Sequence, residues 1–220
     1  MNETLKRALS GSVYVAVMWI GTSYSELSFH ILFLVLGIVS MYEMWKLRKG
    51  KSKFYAFVYV LLPFFLIHFF EIPLQFESSV FGKINLQLYI KDEILLMLIL
   101  TWTFDSFAYL FGVRFGKTKI MPSVSPKKSW EGFAGGLVFT VIASFITTRY
   151  FLEINNSIAL VISLFLPFTA TLGDFTESYF KRKAGVKDSG NFIPGHGGML
   201  DRMDAFMITI PVLYIYLNII

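Results

Sequence analysis

The chain has 220 residues, 55% of them hydrophobic and 16% charged, with a formal net charge of +5 and no cysteine. A soluble domain carries about 25% charged residues, and a membrane β-barrel would show short alternating segments. Here apolar residues form runs of about 18 to 22, enough to cross a bilayer core as helix, so the composition points to an all-α integral membrane protein, excludes disulfide and thiolate chemistry, and makes no case for nucleic acid.

Seven apolar spans follow in order, at about residues 8–23, 27–45, 54–71, 93–112, 131–151, 157–180 and 200–219. The first follows Lys6 and Arg7 as a signal peptide would, but no small-x-small cleavage pattern closes it, and it is read as a retained helix. The first connection, around Tyr24 to Glu26, has no Lys or Arg, whereas the second holds Lys46, Arg48, Lys49, Lys51 and Lys53. Lys83 and Lys91 lie in the third, and Arg114, Lys117, Lys119, Lys127 and Lys128 in the fourth. Arg149 stands alone in the fifth, and Lys181, Arg182, Lys183, Lys187 and Arg202 cluster around the sixth. With the N-terminus inside, 17 of the 20 basic residues fall on the cytoplasmic side, an N-in, C-out bias. Glu71 and Glu77 then fall outside. Residues 1–92 supply three N-terminal spans. Residues 93–220 hold the two longest cytoplasmic connections, 113–130 and 181–199, both rich in Gly, Pro, Ser and Lys. The whole is expected to be one structural domain.

Acids recur at one depth near the cytoplasmic side. Asp105 lies in the fourth span about two turns from its end, Asp174 and Glu177 lie at similar depth in the sixth, and Asp201 and Asp204 open the seventh. Intramembrane carboxylates are costly and normally face a cavity or a partner. Asp174, Glu177, Ser178 and Lys181 share one helix face, as do Asp201 and Asp204. Carboxylates from two neighbouring helices form a hard-oxygen site suited to Mg²⁺, and Asp174, Asp201 and Asp204 are the expected ligands. Asp105 and Glu177 are candidates for supporting them. The plainer alternative is neutralisation of Lys181, Lys187 and Arg202. Glu43, beside Trp45 and Lys46, reads as an interfacial ion pair.

Two loops suit phosphate. In "SVSPKKSWEGFAGG" (123–136), Ser125-Pro126 sets a turn, Lys127 and Lys128 offer ammonium groups, and Ser129 can cap the next helix. Lysines here could equally meet acidic headgroups, and Trp130 reads as an interfacial anchor. Pro194-Gly195-His196-Gly197-Gly198 exposes backbone amides that can approach a polyphosphate. His196 suits a proton shuttle, a phosphate donor or a hydrogen bond that shapes the loop. His30 and His68, in apolar runs, read as structural.

Taken as one unit, "SYFKRKAGVKDSGNFIPGHGGMLDRMD" (178–204) resembles the signature of the phosphatidate cytidylyltransferase family, the CDP-diacylglycerol synthases. "DSFAYLFGVRFGKTKIMPSVSPKKSWEGFAGG" (105–136) is similar to the family's second common block. The resemblance covers about residues 100–220 and is thin before them; family members often have eight or nine spans. It implies CTP + phosphatidate → CDP-diacylglycerol + pyrophosphate, dependent on Mg²⁺, in the cytoplasmic (inner) membrane, with the site at its cytoplasmic face. A second cation, K⁺ among the candidates, and a homodimer are left open. Lys127, Lys128, Lys181, Arg182, Lys187 and Arg202 are then expected to clamp phosphates, while Ser125, Ser178, Asp188, His196, Gly197 and Gly198 fall in the matching segments as substrate-binding candidates. The nearest alternatives are a CTP-dependent lipid kinase and an ether-lipid cytidylyltransferase. An ion-coupled transporter would instead place acids at mid-membrane beside broken helices.

Overall fold

A computed structural model describes residues 3–69, 76–78, 82–84, 91–193, 195 and 197–219. Seven helices run in order: α1 (Glu3–Ser23), α2 (Glu26–Leu47), α3 (Phe54–Leu66), α4 (Lys91–Phe115), α5 (Trp130–Tyr150), α6 (Asn156–Ala184) and α7 (Asp204–Ile219). Two antiparallel hairpins interrupt them, β1 (Phe76–Ser78) with β2 (Gly82–Ile84), and β3 (Lys119–Met121) with β4 (Ser125–Ser129). A 3₁₀ turn, Leu200–Arg202, leads into α7. Four helices, α2, α4, α5 and α6, are long and apolar enough to cross a membrane, and three shorter apolar ones span Ala8–Ser23, Phe54–Leu66 and Asp204–Ile219. The third expected span is the most shortened: α3 ends at Leu66, with Pro63 in its last turn, and Glu71 lies outside the described residues.

Local chemistry sets the boundaries. Ser25 and Ser28 bond each other's backbone amides at the start of α2, a reciprocal cap that lets the chain turn with only Tyr24 and Ser25 between helices. Ser129 caps α5 by accepting from the Gly132 amide at 3.2 Å. Gly185, at φ 75°, ends α6 in the left-handed conformation and lets its amide reach Arg182 and Lys181 carbonyls. Lys181, Arg182 and Lys183 therefore belong to the last turn of a helix instead of the loop expected from residue 181. The Ser125-Pro126 turn is likewise displaced: the chain reverses at residues 122–124, where the Val124 amide meets the Met121 carbonyl at 3.2 Å, and Ser125 opens β4. Proline is compatible with such an edge strand, which needs no donor there.

Packing is closest where glycine removes side chains. Gly112 on α4 faces Gly132 on α5, and a Cβ built on Gly132 would lie 2.6 Å from the Ala108 carbonyl oxygen. Gly136 is similarly filled by the Phe104 ring. α5 thus presents glycines four apart, Gly132 and Gly136, a spacing that brings membrane helices into backbone contact. On the other side of α6, Gly173 lies against the backbone of Asp204, and the Thr169 and Thr209 hydroxyls meet at 2.8 Å. Phe206 of α7 stacks on Phe33 of α2 at 5.4 Å and leans on Phe64 of α3 at 5.0 Å. These contacts join the N-terminal helices to the C-terminal ones in one core.

Candidate active site

The polar centre lies where α6, α7 and the β3–β4 hairpin converge. One helical turn separates Asp174 from Glu177 on α6, and Gly173 admits the first residue of α7, Asp204, beside them. A carboxylate oxygen from each of Asp174, Glu177 and Asp204 lies within 4.8 Å of the others. Asp204 also accepts from the Ala205 amide at 2.7 Å. Glu177 is fully buried, and its Oε1 has no hydrogen-bond partner among the described residues. Asp174 Oδ2 also lacks a well-angled hydrogen bond, although Lys128 Nζ from β4 lies 2.9 Å away. The Lys128 ammonium stands 5.5 Å over the Phe175 ring. Buried carboxylate oxygens with unused lone pairs suit a hard cation.

Asp201 does not stand in this trio. Lys181 Nζ holds its Oδ1 at 2.6 Å, while its Oδ2 accepts from the Ser189 amide at 2.9 Å, the Ser189 hydroxyl at 3.0 Å and the Gly198 amide at 2.8 Å. Burial opposes ionisation of Asp201, but its contacts with Glu177 and Lys181 and the Gly198 amide hold the carboxyl below the ordinary carboxylate range. Lys181 also holds Glu177 Oε2 at 2.7 Å. It is buried and shared by two acids, so it braces α6 to the turn before α7 instead of standing open to a phosphate.

One cavity adjoins the acids and a second lies beside it, with Asp105 and Lys128 lining both. The first, about 440 Å³, reaches Tyr14 of α1, Trp102 of α4, Asp174, Arg202 and Asp204. The second, about 570 Å³, lies beneath the hairpin and is lined by Gly112, Lys119, Ser125, Lys127, Ser129 and Thr171. Asp105, expected to support the acids, opens onto the space between them.

The remaining candidates are scattered. Arg182 donates to the Val186 carbonyl at 3.0 Å, and Lys187 and Asp188 are exposed at the loop surface. Ser178 is buried on α6. Gly197, at φ 84°, pairs with Ile193 across the loop, its carbonyl accepting from the Ile193 amide at 3.0 Å. His196 and Pro194 lie outside the described residues. His30 and His68 meet through their Nδ1 atoms at 2.7 Å.

Glu43 departs most from expectation. It forms no ion pair among the described residues; 4% exposed, it accepts from the Ser189 hydroxyl, the Met199 amide and the Leu200 amide at 2.8–3.0 Å. The sequence marked Glu43 only as an ion pair and did not mark Ser189. The available signal was the burial period of α2, which sets Leu36, Ser40, Glu43, Met44 and Leu47 on one inward face. Tyr14 and Tyr59 were also unmarked: the Tyr14 hydroxyl lies 3.5 Å from the Arg202 carbonyl, and Tyr59 donates to the Gly173 carbonyl at 3.1 Å.

The profile of the cytidylyltransferase family matches residues 89–220, which contain the acids, both cavities' C-terminal walls and the hairpin. A phosphatidate cytidylyltransferase of Thermotoga maritima is 44% identical over 174 residues, 75% of this chain and 58% of its own length. One from Rickettsia felis is 34% identical over 216 residues, 94% of this chain and 89% of its own length. One from Staphylococcus aureus is 47% identical over 126 residues, 56% of this chain and 48% of its own length. The chain thus spans about half the length of some of these relatives and nearly all of another.

Proposed function

Because the chain belongs to the cytidylyltransferase family, we propose that it transfers CMP from CTP to phosphatidate, giving CDP-diacylglycerol and pyrophosphate. A phosphate oxygen of the lipid forms the new bond to the α-phosphorus of CTP, and the bond from that phosphorus to the β-bridging oxygen breaks. Phosphatidate carries its attacking oxyanion at neutral pH, so the demand on the protein is alignment of two anions and neutralisation of charge. The observation that carries this reading is the meeting of three carboxylates beside Lys128, which lines both cavities, with Asp174 and Asp204 lining the first.

Asp174, Glu177 and Asp204 would hold Mg²⁺, since buried oxygens of the first two have lone pairs to give. When bound, the cation neutralises phosphate charge and orients the phosphates. Lys128, at the boundary of both cavities, is placed to meet the reacting phosphates, with Arg202 on one side and Lys119 and Lys127 on the other. Asp201 and Lys181 fix the approach of α7 to α6. The proposed topology is seven crossings, N-in and C-out, in the cytoplasmic membrane, so that CTP arrives from water and phosphatidate from the leaflet.

The test is transfer from CTP labelled at the α- or the γ-phosphate to phosphatidate in detergent, with Mg²⁺ or chelator. Label from the α-position should enter lipid, stop with chelator, and fall at least about 100-fold in Asp204→Asn. Transfer of the γ-label would make the protein a lipid kinase, and chelator-resistant transfer would remove the metal from the scheme.

A further inference from the structure

Three consecutive amides at the entry to α7 are satisfied by two carboxylates from opposite directions. Gly198 N donates to Asp201, while Met199 N and Leu200 N donate to Oε1 and Oε2 of Glu43 at 3.0 and 2.8 Å. The Ser189 hydroxyl lies between them, 2.9 Å from Glu43 Oε2 and 3.0 Å from Asp201 Oδ2, and its single proton can serve one of the two at a time. Glycine makes the enclosure possible: a Cβ on Gly190 would fall 2.5 Å from Glu43 Oε1, and one on Gly198 would fall 2.7 Å from the same oxygen. Glu43 comes from α2, more than 140 residues away in sequence, and forms no ion pair among the described residues. Its carboxylate is spent on amides that would otherwise be buried without acceptors.

We infer that Glu43 is a positioning residue, which holds the segment Gly198–Arg202 against α2 and so sets where Asp201 and Asp204 stand relative to α6. This rests on the reading of Asp174, Glu177 and Asp204 as a cation site. It gives the N-terminal half a specific task in the chemistry of the C-terminal half: a change on α2 is transmitted through two backbone amides to the residue four positions on that joins the acidic trio.

The variant is Glu43→Gln, which keeps volume but leaves one acceptor oxygen where both are used. The measurements are Mn²⁺ binding to the purified protein by paramagnetic resonance, hydrogen exchange of residues 198–204, and thermal melting. The expected result is Mn²⁺ affinity weakened about 10-fold or more, faster exchange of the Met199 and Leu200 amides, and a folded protein. Should Glu43→Gln fail to accumulate, Glu43→Asp, which withdraws the carboxylate by one methylene, is read in the same way. A melting point lowered with Mn²⁺ affinity and exchange unchanged would reduce Glu43 to a structural residue and overturn the inference. So would exchange of the Met199 and Leu200 amides within seconds in the wild type. Transfer from CTP is assayed in parallel: a protein whose Mn²⁺ affinity depends on Glu43 but which forms no CDP-diacylglycerol defeats the proposed function and leaves this inference standing.

Discussion

At Asp201 and Glu177, two carboxylates within hydrogen-bond reach of one lysine have opposite prospects. Asp201 has both oxygens engaged by Lys181, Ser189 and Gly198, whereas Glu177 has Oε1 unused. Glu177→Gln should therefore raise the Mg²⁺ concentration for half-maximal transfer about 10-fold or more, read from a metal titration at saturating CTP. Asp201→Asn should act chiefly on stability. Because the native Asp201 carboxyl is held low, its contribution is fully present above the unfolded value of about 3.9 and is lost as pH falls through the lower native one. The melting difference between wild type and Asp201→Asn should stay constant from about pH 8 to 5 and narrow only below about pH 4. Sequence spacing marked all five acids because charge in an apolar run is conspicuous. It put Asp201 among the ligands and Glu177 in support, whereas the structure brings Glu177 into the trio and leaves Asp201 out of it, since hydrogen bonds from the Ser189 and Gly198 amides depend on a loop fold that no period encodes. Glu43 was misread for the same reason: its neighbours Trp45 and Lys46 are local, and its partners are not.

The helices were legible as elements because each is a long apolar run, and their ends agree with the observed ones to within about five residues. The β3–β4 hairpin was not, since "SPKKS" has neither alternation nor β-branched residues; it is held from outside. Glu131 accepts from the Lys117 and Thr118 amides at 3.1 Å, and the Trp130 amide reaches the Thr118 carbonyl at 2.9 Å, tying the hairpin to the first turn of α5. That tie presents Lys128 to Asp174. Lys128→Met should accordingly lower kcat/KM for CTP about 100-fold or more while leaving the melting point within a few degrees. The helix crossings rest on glycines. In Gly132→Ala the new methyl meets the Ala108 carbonyl, which cannot swing aside, so α4 and α5 must separate at a cost of about 1–3 kcal/mol. Thermal melting in detergent should show it, and Ala134→Leu on the exposed face of the same helix should leave the melting point unchanged. Gly173→Ala would push the Asp204 backbone away from Asp174, and activity should fall further than stability does.

For the whole molecule the decisive question is which way the bundle faces, because the proposed reaction joins a water-soluble nucleotide to a membrane lipid. The polar face gathers the β3–β4 hairpin, the end of α6 and the loop before α7, and the connection after α2 joins it: Lys51 donates to the Lys183 carbonyl, and the Arg48 guanidinium lies 5.7 Å from the Phe180 ring. The α1–α2 and α5–α6 connections, with Tyr24 and Glu153, belong to the opposite ends of their helices. The seven crossings proposed would put the first group on the side of 17 of the 20 basic residues, and that bias supports the proposed cytoplasmic placement. The chain has no cysteine, so single cysteines report topology without background. Lys127→Cys and Asn191→Cys should react with a membrane-impermeant maleimide only in inverted vesicles or broken cells. Tyr24→Cys and Glu153→Cys should react in cells whose outer permeability barrier has been opened and whose inner membrane is intact. The reverse pattern would put the acids on the side that CTP does not reach and would end the proposed reaction. Labelling of Tyr24→Cys and Asn191→Cys from the same side would instead break the count of seven, most directly at the short helices α1, α3 and α7. These are the three that length alone leaves undecided, and two of them, α1 and α7, line the cavity that holds Asp204.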